Sequence, residues 1–241
     1  MQKTVVITGA GKGIGRAIAL AYAQQGMNVC CISRTQKDLE DTVNTIRSRN
    51  GHGIFYSCDV TDYTEMTRAF QYTYEMFGAI DIVVINAGTD CEKKSVEELK
   101  IEEWERVINV NLTGAFITAK VAIPYLKKNM SGKIITIGSG LGHKGRINGS
   151  AYNCSKAGLW MLTRTLAQEL IAYNISVNEL IPGPVNTEMG EKCKGDSHSV
   201  FSINGEWHKS PEDVTQLALF LANQPSIGPT AQSYSLMRRD L

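Results

Sequence analysis

The sequence has almost no net charge. Its 25 Lys and Arg residues and 24 Asp and Glu residues leave a formal charge of +1 at pH 7. Such a balance provides no overall field to attract nucleic acid or anionic lipid. The chain also lacks an arginine-rich stripe and an alternation of basic and aromatic residues. We therefore expect no nucleic-acid partner.

Long apolar runs are lacking as well. No stretch approaches the roughly 18 consecutive apolar residues of a membrane-spanning helix. The apolar run at residues 5–7 is too short for a secretory signal, and it leads into glycines rather than into a cleavage site. These features predict a protein that has no membrane partner and lies in the cytoplasm.

The cysteines form no pattern typical of a disulfide framework or a metal site. Six are present, at positions 30, 31, 58, 91, 154 and 193, without a CxxC pair. We interpret them as reduced thiols, in agreement with a cytoplasmic location. His198 and His208 are too isolated to supply a ligand set, so no metal site is predicted.

The sequence does contain a regular alternation of short β-branched runs and longer helical patterns. Strands are predicted at residues 4–8, 28–33, 53–58, 81–86, 133–137, 175–180 and 231–236. Helices are predicted at residues 14–25, 37–49, 65–77, 102–130 and 152–173. Repeated β-α-β alternation with continuously apolar strands indicates a doubly wound parallel sheet with helices on both faces. Without a repeat or a linker, we expect one α/β domain over residues 1–241.

The segment at 187–209 interrupts this alternation. It is long for a loop in a compact domain, and such loops are often lids or binding segments. We expect it to contact substrate, with Met189, Phe201 and Trp207 as candidates for its apolar face. After it, Ser210 and Pro211 predict the start of another helix.

A glycine cluster follows the first predicted strand, in the sequence TGAGKGIG at residues 8–15. Glycines let the backbone turn tightly and approach a pyrophosphate, and the following helix offers unpaired N–H groups and the positive end of its dipole. A simple turn would also explain the glycines, but this cluster opens a β-α-β unit, which is the context that dinucleotide binding requires. The candidate cofactor residues here are Gly9, Lys12, Gly13, Ile14 and Gly15.

The choice of cofactor depends on the end of the second predicted strand. Enzymes that use NAD usually have an acidic residue there to bind the ribose hydroxyls. This chain has Arg34 instead, and a guanidinium pairs with the 2′-phosphate of NADP. Lys12 could contact the same phosphate, although both cations are also compatible with a solvated surface. Asp38 would reach a ribose only if the strand ended later. We predict NADP(H) rather than NAD(H).

Residues 151–158 read AYNCSKAG and place Tyr152 four residues before Lys156. This spacing puts both side chains on one face of a helix. A phenol ordinarily titrates near 10, and a nearby ammonium favours its phenolate form. The pair therefore suits proton exchange near neutrality, although on an isolated helix it would more simply be a half-exposed amphipathic pair.

Taken in order, these motifs resemble those of the classical short-chain dehydrogenase/reductase family. The resemblance runs from the first strand to about residue 187. The segments that carry it are TGAGKGIG at 8–15, CDV at 58–60, NAG at 86–88, NVNL at 109–112, IGS at 137–139, AYNCSKAG at 151–158 and IPGPVNT at 181–187.

The resemblance implies a Rossmann-type sheet, a nicotinamide cofactor and the interconversion of a small carbonyl compound and its alcohol. It implies that Tyr152 donates the proton, that Lys156 also binds the nicotinamide ribose, and that Ser139 hydrogen-bonds the substrate oxygen. Asn111 would hold a water molecule that links Lys156 to solvent. Taken singly, Ser139 could be a loop residue and Asn111 a buried hydrogen bonder. The further implied cofactor contacts are Asp59, Val60, Asn86, Ala87, Gly88, Pro182, Gly183, Val185 and Thr187.

Two segments depart from the family pattern. Residues 235–240 read SLMRRD where classical members often have a VDGG-like stretch at a subunit interface, so the homodimer or homotetramer usual for the family is expected with an altered contact. Gln168 stands where members that reduce acyl-carrier-protein thioesters commonly have arginine. A 3-oxoacyl-thioester reductase is therefore the alternative to a general carbonyl reductase. A non-catalytic NADP(H)-sensing protein is the alternative from another class.

Overall fold

The computed structural model of the protein describes residues 2–90, 93–191 and 205–238. Within them, seven parallel strands form one sheet in the order β3-β2-β1-β4-β5-β6-β7. The strands are β1 (Thr4–Thr8), β2 (Asn28–Ser33), β3 (His52–Ser57), β4 (Ile82–Ile85), β5 (Gly132–Ile137), β6 (Ile175–Ile181) and β7 (Ser233–Ser235). This order reverses between β1 and β4, which is the switch point of a doubly wound sheet.

Helices cover both faces of the sheet. The described helices are α1 (Gly13–Gln24), α2 (Gln36–Ser48), α3 (Tyr63–Phe77), α4 (Ile101–Ile108), α5 (Gly114–Lys128), α6 (Ser150–Leu170), α7 (Glu188–Glu191) and α8 (Thr215–Asn223). One apolar core joins the sheet to α1, α2 and α8, and the other joins it to α3, α5 and α6. The predicted Rossmann-type fold is confirmed.

The strands read as continuously apolar because both of their faces are covered. Every residue of β1, β5 and β6 is buried. A parallel sheet between two helical layers leaves no solvent-facing side on which polar residues would alternate with apolar ones. The predicted boundaries of β1 and β2 match the observed ones, those of the other strands differ by one or two residues, and the last strand is the shortest at three residues.

The predicted helix at residues 102–130 is present but is not uniform. A π-helical segment, Asn109–Thr113, separates α4 from α5. The whole stretch Ile101–Lys128 is also long and apolar enough to cross a membrane by length and composition, with a mean hydropathy of 1.3 over 18 residues. Sequence analysis led us to expect no such stretch. Half of this window is buried inside the fold, as in the core helix of a globular protein.

The two ends of the predicted loop at residues 187–209 are joined by backbone hydrogen bonds. Asn186 N donates to Lys209 O at 2.8 Å, and Lys209 N donates to Pro184 O at 3.0 Å. The predicted start of a helix after this loop is confirmed. Its first turn, Pro211–Val214, is a 3-10 turn, and Ser210 and Asp213 form a capping box there. The predicted apolar contact of Phe201 and the position of His198 lie outside the described residues.

The described cysteines carry free thiols. Cys30, Cys31 and Cys58 are buried and Cys154 is exposed, whereas positions 91 and 193 are outside the described part of the chain. Burial raises the pKa of the Cys30 and Cys58 thiols to about 12, so both stay protonated at neutral pH. Among residues 2–90, 93–191 and 205–238, no three His, Cys, Asp or Glu side chains are grouped to hold a metal ion.

Candidate active site

A cleft of about 720 Å³ opens at the carboxyl ends of the parallel strands. The loops that follow strands β1 to β6 form its walls, as expected at the switch point of such a sheet. Most of the predicted site residues line it. They are Gly9, Lys12, Gly13, Ile14, Arg34, Asp59, Val60, Asn86, Ala87, Gly88, Ser139, Tyr152, Lys156, Pro182, Gly183, Val185 and Thr187.

The glycine loop is shaped by close backbone approach. Gly9 and Gly13 have φ angles of +67° and +57°, which favour glycine. A Cβ atom on Gly15 would lie 2.3 Å from the carbonyl oxygen of Gly9, so Gly15 packs helix α1 against the loop instead of lining the cleft. The first turn of α1 has no side-chain cap and no acidic residue. Its N–H groups are therefore available to an anion.

The NAG segment braces this loop from the next strand. Asn86 Nδ2 donates to the carbonyl oxygens of Thr8 at 2.9 Å and Gly9 at 3.1 Å. The backbone N–H groups of Asn86 and Ala87 both donate to Thr8 Oγ1, at 3.0 and 3.1 Å. These bonds fix the loop before a ligand arrives, which limits the entropy lost on binding.

At one end of the cleft, cations stand beside acidic side chains. Arg34 has a 70% exposed side chain with Nη1 3.7 Å from Asp59 Oδ2, and Lys12 Nζ lies 2.5 Å from Glu188 Oε2. Exposed ion pairs such as these are weak, so a phosphate can replace the carboxylates. Strand β2 ends at Ser33 as predicted, but Asp38 in the first turn of α2 still lines the cleft.

The wall at this end also fits a sugar or phosphate oxygen. Ser33 lines the cleft, and its buried hydroxyl has no hydrogen-bond partner within the described residues. A buried polar group without a partner is uncommon and favours a role in ligand binding. The glycine cradle, the open helix N-terminus and this hydroxyl together suit the adenosine diphosphate part of a dinucleotide.

Tyr152 and Lys156 occupy the first two turns of α6, at the other end of the cleft. Lys156 Nζ lies 5.8 Å from the centre of the Tyr152 ring and donates to the Ile137 carbonyl oxygen at 2.7 Å. Burial lowers the pKa of Lys156 to about 8, although the charges of Glu179 and Asp90 act in the opposite direction. The predicted pairing on one helix face is therefore present, and the lysine is the buried member.

Ser139 follows β5 and caps the short 3-10 turn Gly140–Gly142. Its Oγ accepts a hydrogen bond from Leu141 N at 3.2 Å, which leaves the hydroxyl proton to donate elsewhere. Ser139 lines the cleft together with Tyr152 and Lys156. The structure thus brings Ser139, Tyr152 and Lys156 together.

Asn111 is placed differently, within the π-helical segment. It is 1% exposed and does not line the cleft. Its Nδ2 donates to Thr89 O and to Ser155 Oγ, each at 2.9 Å, and its Oδ1 accepts from Thr89 N at 2.7 Å. The side chain is a buried hydrogen bonder that joins three elements, which is the simpler of the two interpretations of the sequence.

The profile of the short chain dehydrogenase family matches residues 3–197. The chain belongs to the short-chain dehydrogenase family. This family consists of oxidoreductases that use nicotinamide cofactors, so the protein is an enzyme of that class. The order of motifs in the sequence, and the cleft that collects them, agree with this membership.

Known relatives of this short-chain dehydrogenase have several substrates in their names. The 3-oxoacyl-[acyl-carrier-protein] reductase of Thermotoga maritima is 35% identical over 232 residues, covering 95% of this chain and 94% of the relative. Carbonyl reductase family member 4 of Xenopus laevis is 34% identical over 227 residues, covering 94% of each chain.

Solved structures share the fold of this dehydrogenase. A short-chain type dehydrogenase/reductase from Mycobacterium marinum is 32% identical with a TM-score of 0.89, covering 97% of this chain and 93% of that one. Carveol dehydrogenase from Mycobacterium avium, in complex with NAD, is 25% identical with a TM-score of 0.88, covering 97% and 95%. The named cofactor of that neighbour differs from the one predicted here.

Asp90, Lys93 and Glu179 were not predicted to belong to the site, and the sequence favoured a solvated loop for His143 over a contact with substrate. Lys93 Nζ lies 5.5 Å from the Tyr152 ring centre and 2.5 Å from Asp90 Oδ2, and both residues line the cleft. His143 hydrogen-bonds to the buried carboxylate of Glu179 at 2.9 Å. The spacing of Asp90 and Lys93 is a weak signal, and His143 and Glu179 are 36 residues apart, so the sequence offers no sign of their pairing.

Proposed function

We propose that the protein reduces a small carbonyl compound with NADPH, or oxidises the matching alcohol with NADP, and that Tyr152 exchanges the proton. The observation that carries this proposal is the meeting of Ser139, Tyr152 and Lys156 in one cleft with the glycine loop. A protein that only sensed the cofactor would have no use for a proton donor and a buried lysine at the other end of that cleft.

The proposed roles follow from where charge develops during reduction. When bound, the nicotinamide supplies the hydride or accepts it. Ser139 Oγ–H donates to the substrate oxygen, which gains negative charge, and Tyr152 O–H gives this oxygen its proton. The ammonium of Lys156, 5.8 Å from the ring centre, favours the phenolate that remains. One proton of this ammonium is used on Ile137 O, so two stay available for cofactor hydroxyls.

We propose that Asn111 helps to resupply the proton through one water molecule. A Cβ atom on Gly88 would lie 3.4 Å from Asn111 Oδ1 and 3.9 Å from Lys156 Nζ. Because Gly88 has no side chain, the space near these two atoms stays open, and we propose that a water molecule there bridges them. The second lone pair of Oδ1 is the acceptor in this scheme, because the other accepts from Thr89 N.

The preference for NADP(H) is supported by Arg34 and Lys12, which are the cations at the adenosine end of the cleft. Asp38 lines the same region and would favour NAD(H) if its carboxylate reached the ribose hydroxyls. The guanidinium is the stronger determinant because its ion pair with Asp59 is long, at 3.7 Å, and exposed. We propose that Gly15 supports this site by packing and that the other predicted cofactor residues contact the cofactor.

Reduction of a 3-oxoacyl thioester is the second candidate reaction. The 35% identity to a 3-oxoacyl-[acyl-carrier-protein] reductase supports it. Gln168, which is exposed on α6, replaces the arginine that would attract an acidic carrier protein. A small ketone, aldehyde, quinone or β-keto compound therefore remains the first choice.

We further propose a cytoplasmic homodimer or homotetramer. Phe116 on α5 is 49% exposed and Met161 on α6 is 51% exposed, among other exposed apolar side chains on the helices. Strand β7 still pairs with β6, so the edge of the sheet is retained despite the altered C-terminal sequence. Light scattering on the purified protein would measure the assembly, and a monomer at micromolar concentration would contradict it.

The proposed function is tested by NADPH oxidation over a panel of carbonyl compounds, with Tyr152→Phe measured alongside. The panel contains quinones, diketones, aldehydes, keto sugars, steroids and 3-oxoacyl thioesters. We expect turnover of at least one class, reduced about 10²- to 10⁴-fold in Tyr152→Phe because the general acid is lost. NADPH binding without turnover of any compound by either protein would support a sensor instead.

A further inference from the structure

A buried carboxylate lies directly behind the loop that carries Ser139. Glu179, in the middle of β6, is fully buried. A Cβ atom on Gly138 would lie only 1.8 Å from Glu179 Oε1, so the carboxylate occupies the space beside the bare Cα of Gly138. Only glycine at position 138 leaves room for it.

Two side chains hold this carboxylate by one of its oxygens. Glu179 Oε2 is 2.9 Å from His143 Nε2 and accepts a hydrogen bond from Ser233 Oγ at 2.6 Å. The other oxygen, Oε1, is buried and has no hydrogen-bond partner within the described residues. A buried carboxylate with one oxygen that accepts no hydrogen bond is costly unless a nearby positive charge stabilises it.

Lys156 is that group. Its Nζ binds the carbonyl oxygen of Ile137, the residue directly before Gly138. Lys156 and Glu179 thus approach two neighbouring residues of the same strand end, one from α6 and one from β6. The charge of Glu179 opposes the loss of the Lys156 proton that burial favours.

We propose that Glu179 is a positioning residue of the active site: its carboxylate, held by His143 and Ser233, is the buried counter-charge that stabilises the ammonium group of Lys156. The role of that ammonium in catalysis rests on the proposed function. The charge relationship between the two residues does not.

Among the charged groups around this pair, Glu179 has the largest effect on Lys156. After β4, Asp90 also acts on Lys156, but its carboxylate is paired with Lys93 at 2.5 Å. On α6, Arg164 stacks over Trp160 and donates to Ala231 O, while Trp160 packs on the His143 ring at 4.9 Å. His143 itself faces Glu179 Oε2 and not the oxygen without a partner. Tyr152, on the same helix, is a further titratable neighbour of Lys156.

The test compares Glu179→Gln with the control Glu169→Gln, which removes the same charge from an exposed position of α6. The protonation of Lys156 is followed by NMR in protein labelled with ¹³C at lysine Cε, and Lys156→Met assigns the signal. We expect the pKa of Lys156 to fall by about one unit in Glu179→Gln and to stay unchanged in the control. The pH above which kcat/KM falls should decrease by the same amount.

An unchanged Lys156 pKa in Glu179→Gln would overturn the proposal. If that variant does not fold, Ser233→Ala removes one of the two side chains that hold the carboxylate in place. The charge remains but is no longer fixed beside Gly138, and a smaller fall of about 0.3 unit in the Lys156 pKa is expected. No change in Ser233→Ala would then count against it. Glu179→Asp keeps the negative charge, so its Lys156 pKa should lie close to that of the wild type. Because the NMR titration needs no turnover, a protein that reduces no carbonyl can still show the pKa shift, so the two failures are distinguishable.

Discussion

Asn111 Nδ2 donates to Ser155 Oγ across 2.9 Å and so joins the π-helical segment to the helix that carries Tyr152 and Lys156. Ser155 Oγ in turn donates to Tyr152 O at 2.8 Å. A π-helical turn inserts one extra residue into a helix and is often found at functional sites. Here it places the side chain of Asn111 next to Ser155 in the first turns of α6. The position of the Tyr152 backbone therefore depends on the hydrogen bonds of Asn111 and Ser155.

Replacing Asn111 should therefore reduce both stability and turnover. Asn111→Leu leaves Thr89 N and Thr89 O without this partner and removes one of the two partners of Ser155 Oγ. Buried groups left unpaired cost about 1–3 kcal/mol each. We expect a loss of about 2 kcal/mol after relaxation, seen as a fall of about 4–8 °C in Tm, together with at least a tenfold lower kcat. Asn109→Ala, an exposed neighbour in the same segment, is the control. A variant with native Tm and kcat would show that Asn111 has no such role.

The sequence was sufficient to predict the fold because each buried strand and each amphipathic helix carries its own local signal. The alternation of the two predicted the parallel sheet and both helical layers. The ordered motifs also predicted which residues meet in the cleft, since the carboxyl ends of parallel strands lie along one edge.

Other features have no local signal in the sequence. The π-helical segment depends on hydrogen bonds from Asn111 to Thr89 and Ser155, which are 22 and 44 residues away. The pairing of His143 with Glu179 depends on the register of β6 beside β5, which composition does not reveal. For Asp38, the strand end was predicted correctly, but the path of the chain into α2 still brings the residue to the cleft.

Arg34 should decide the choice between the two nicotinamide cofactors. Arg34→Glu places a carboxylate where the 2′-phosphate is expected, so attraction becomes repulsion. We expect the ratio of kcat/KM for NADPH to that for NADH to fall by about 10²-fold or more. Arg49→Glu makes the same charge change at the exposed end of α2 and should leave the ratio unchanged. Equal ratios in the wild type and Arg34→Glu would show that Arg34 does not contribute to the choice of cofactor.

Gly15 should be essential to the shape of the glycine loop. In Gly15→Ala the new Cβ would lie 2.3 Å from Gly9 O and 2.4 Å from Asn86 Nδ2, and both atoms belong to the braced loop. Overpacking of this kind costs about 1–3 kcal/mol, and we expect at least tenfold weaker NADPH binding by fluorescence titration. Gly26→Ala is the matched control, because Gly26 has a φ of +78° but open space around it. It should lose stability through backbone strain and keep its affinity. Unchanged affinity in Gly15→Ala would contradict the packing argument.

Lys156 should set the alkaline limit of carbonyl reduction. Its pKa is lowered from 10.5 to about 8 by burial, so the ammonium is present below this pH and is lost as the pH rises through it. We expect kcat/KM for the carbonyl to be level near pH 7 and to fall about tenfold per unit above pH 8. Lys156→Met should lower kcat by about 10²-fold or more at every pH. Lys120→Met, on α5, is the control because Lys120 is exposed and lies outside the cleft. A wild-type profile that stayed level to pH 10, or near-native turnover by Lys156→Met, would show that the phenol of Tyr152 does not depend on this ammonium.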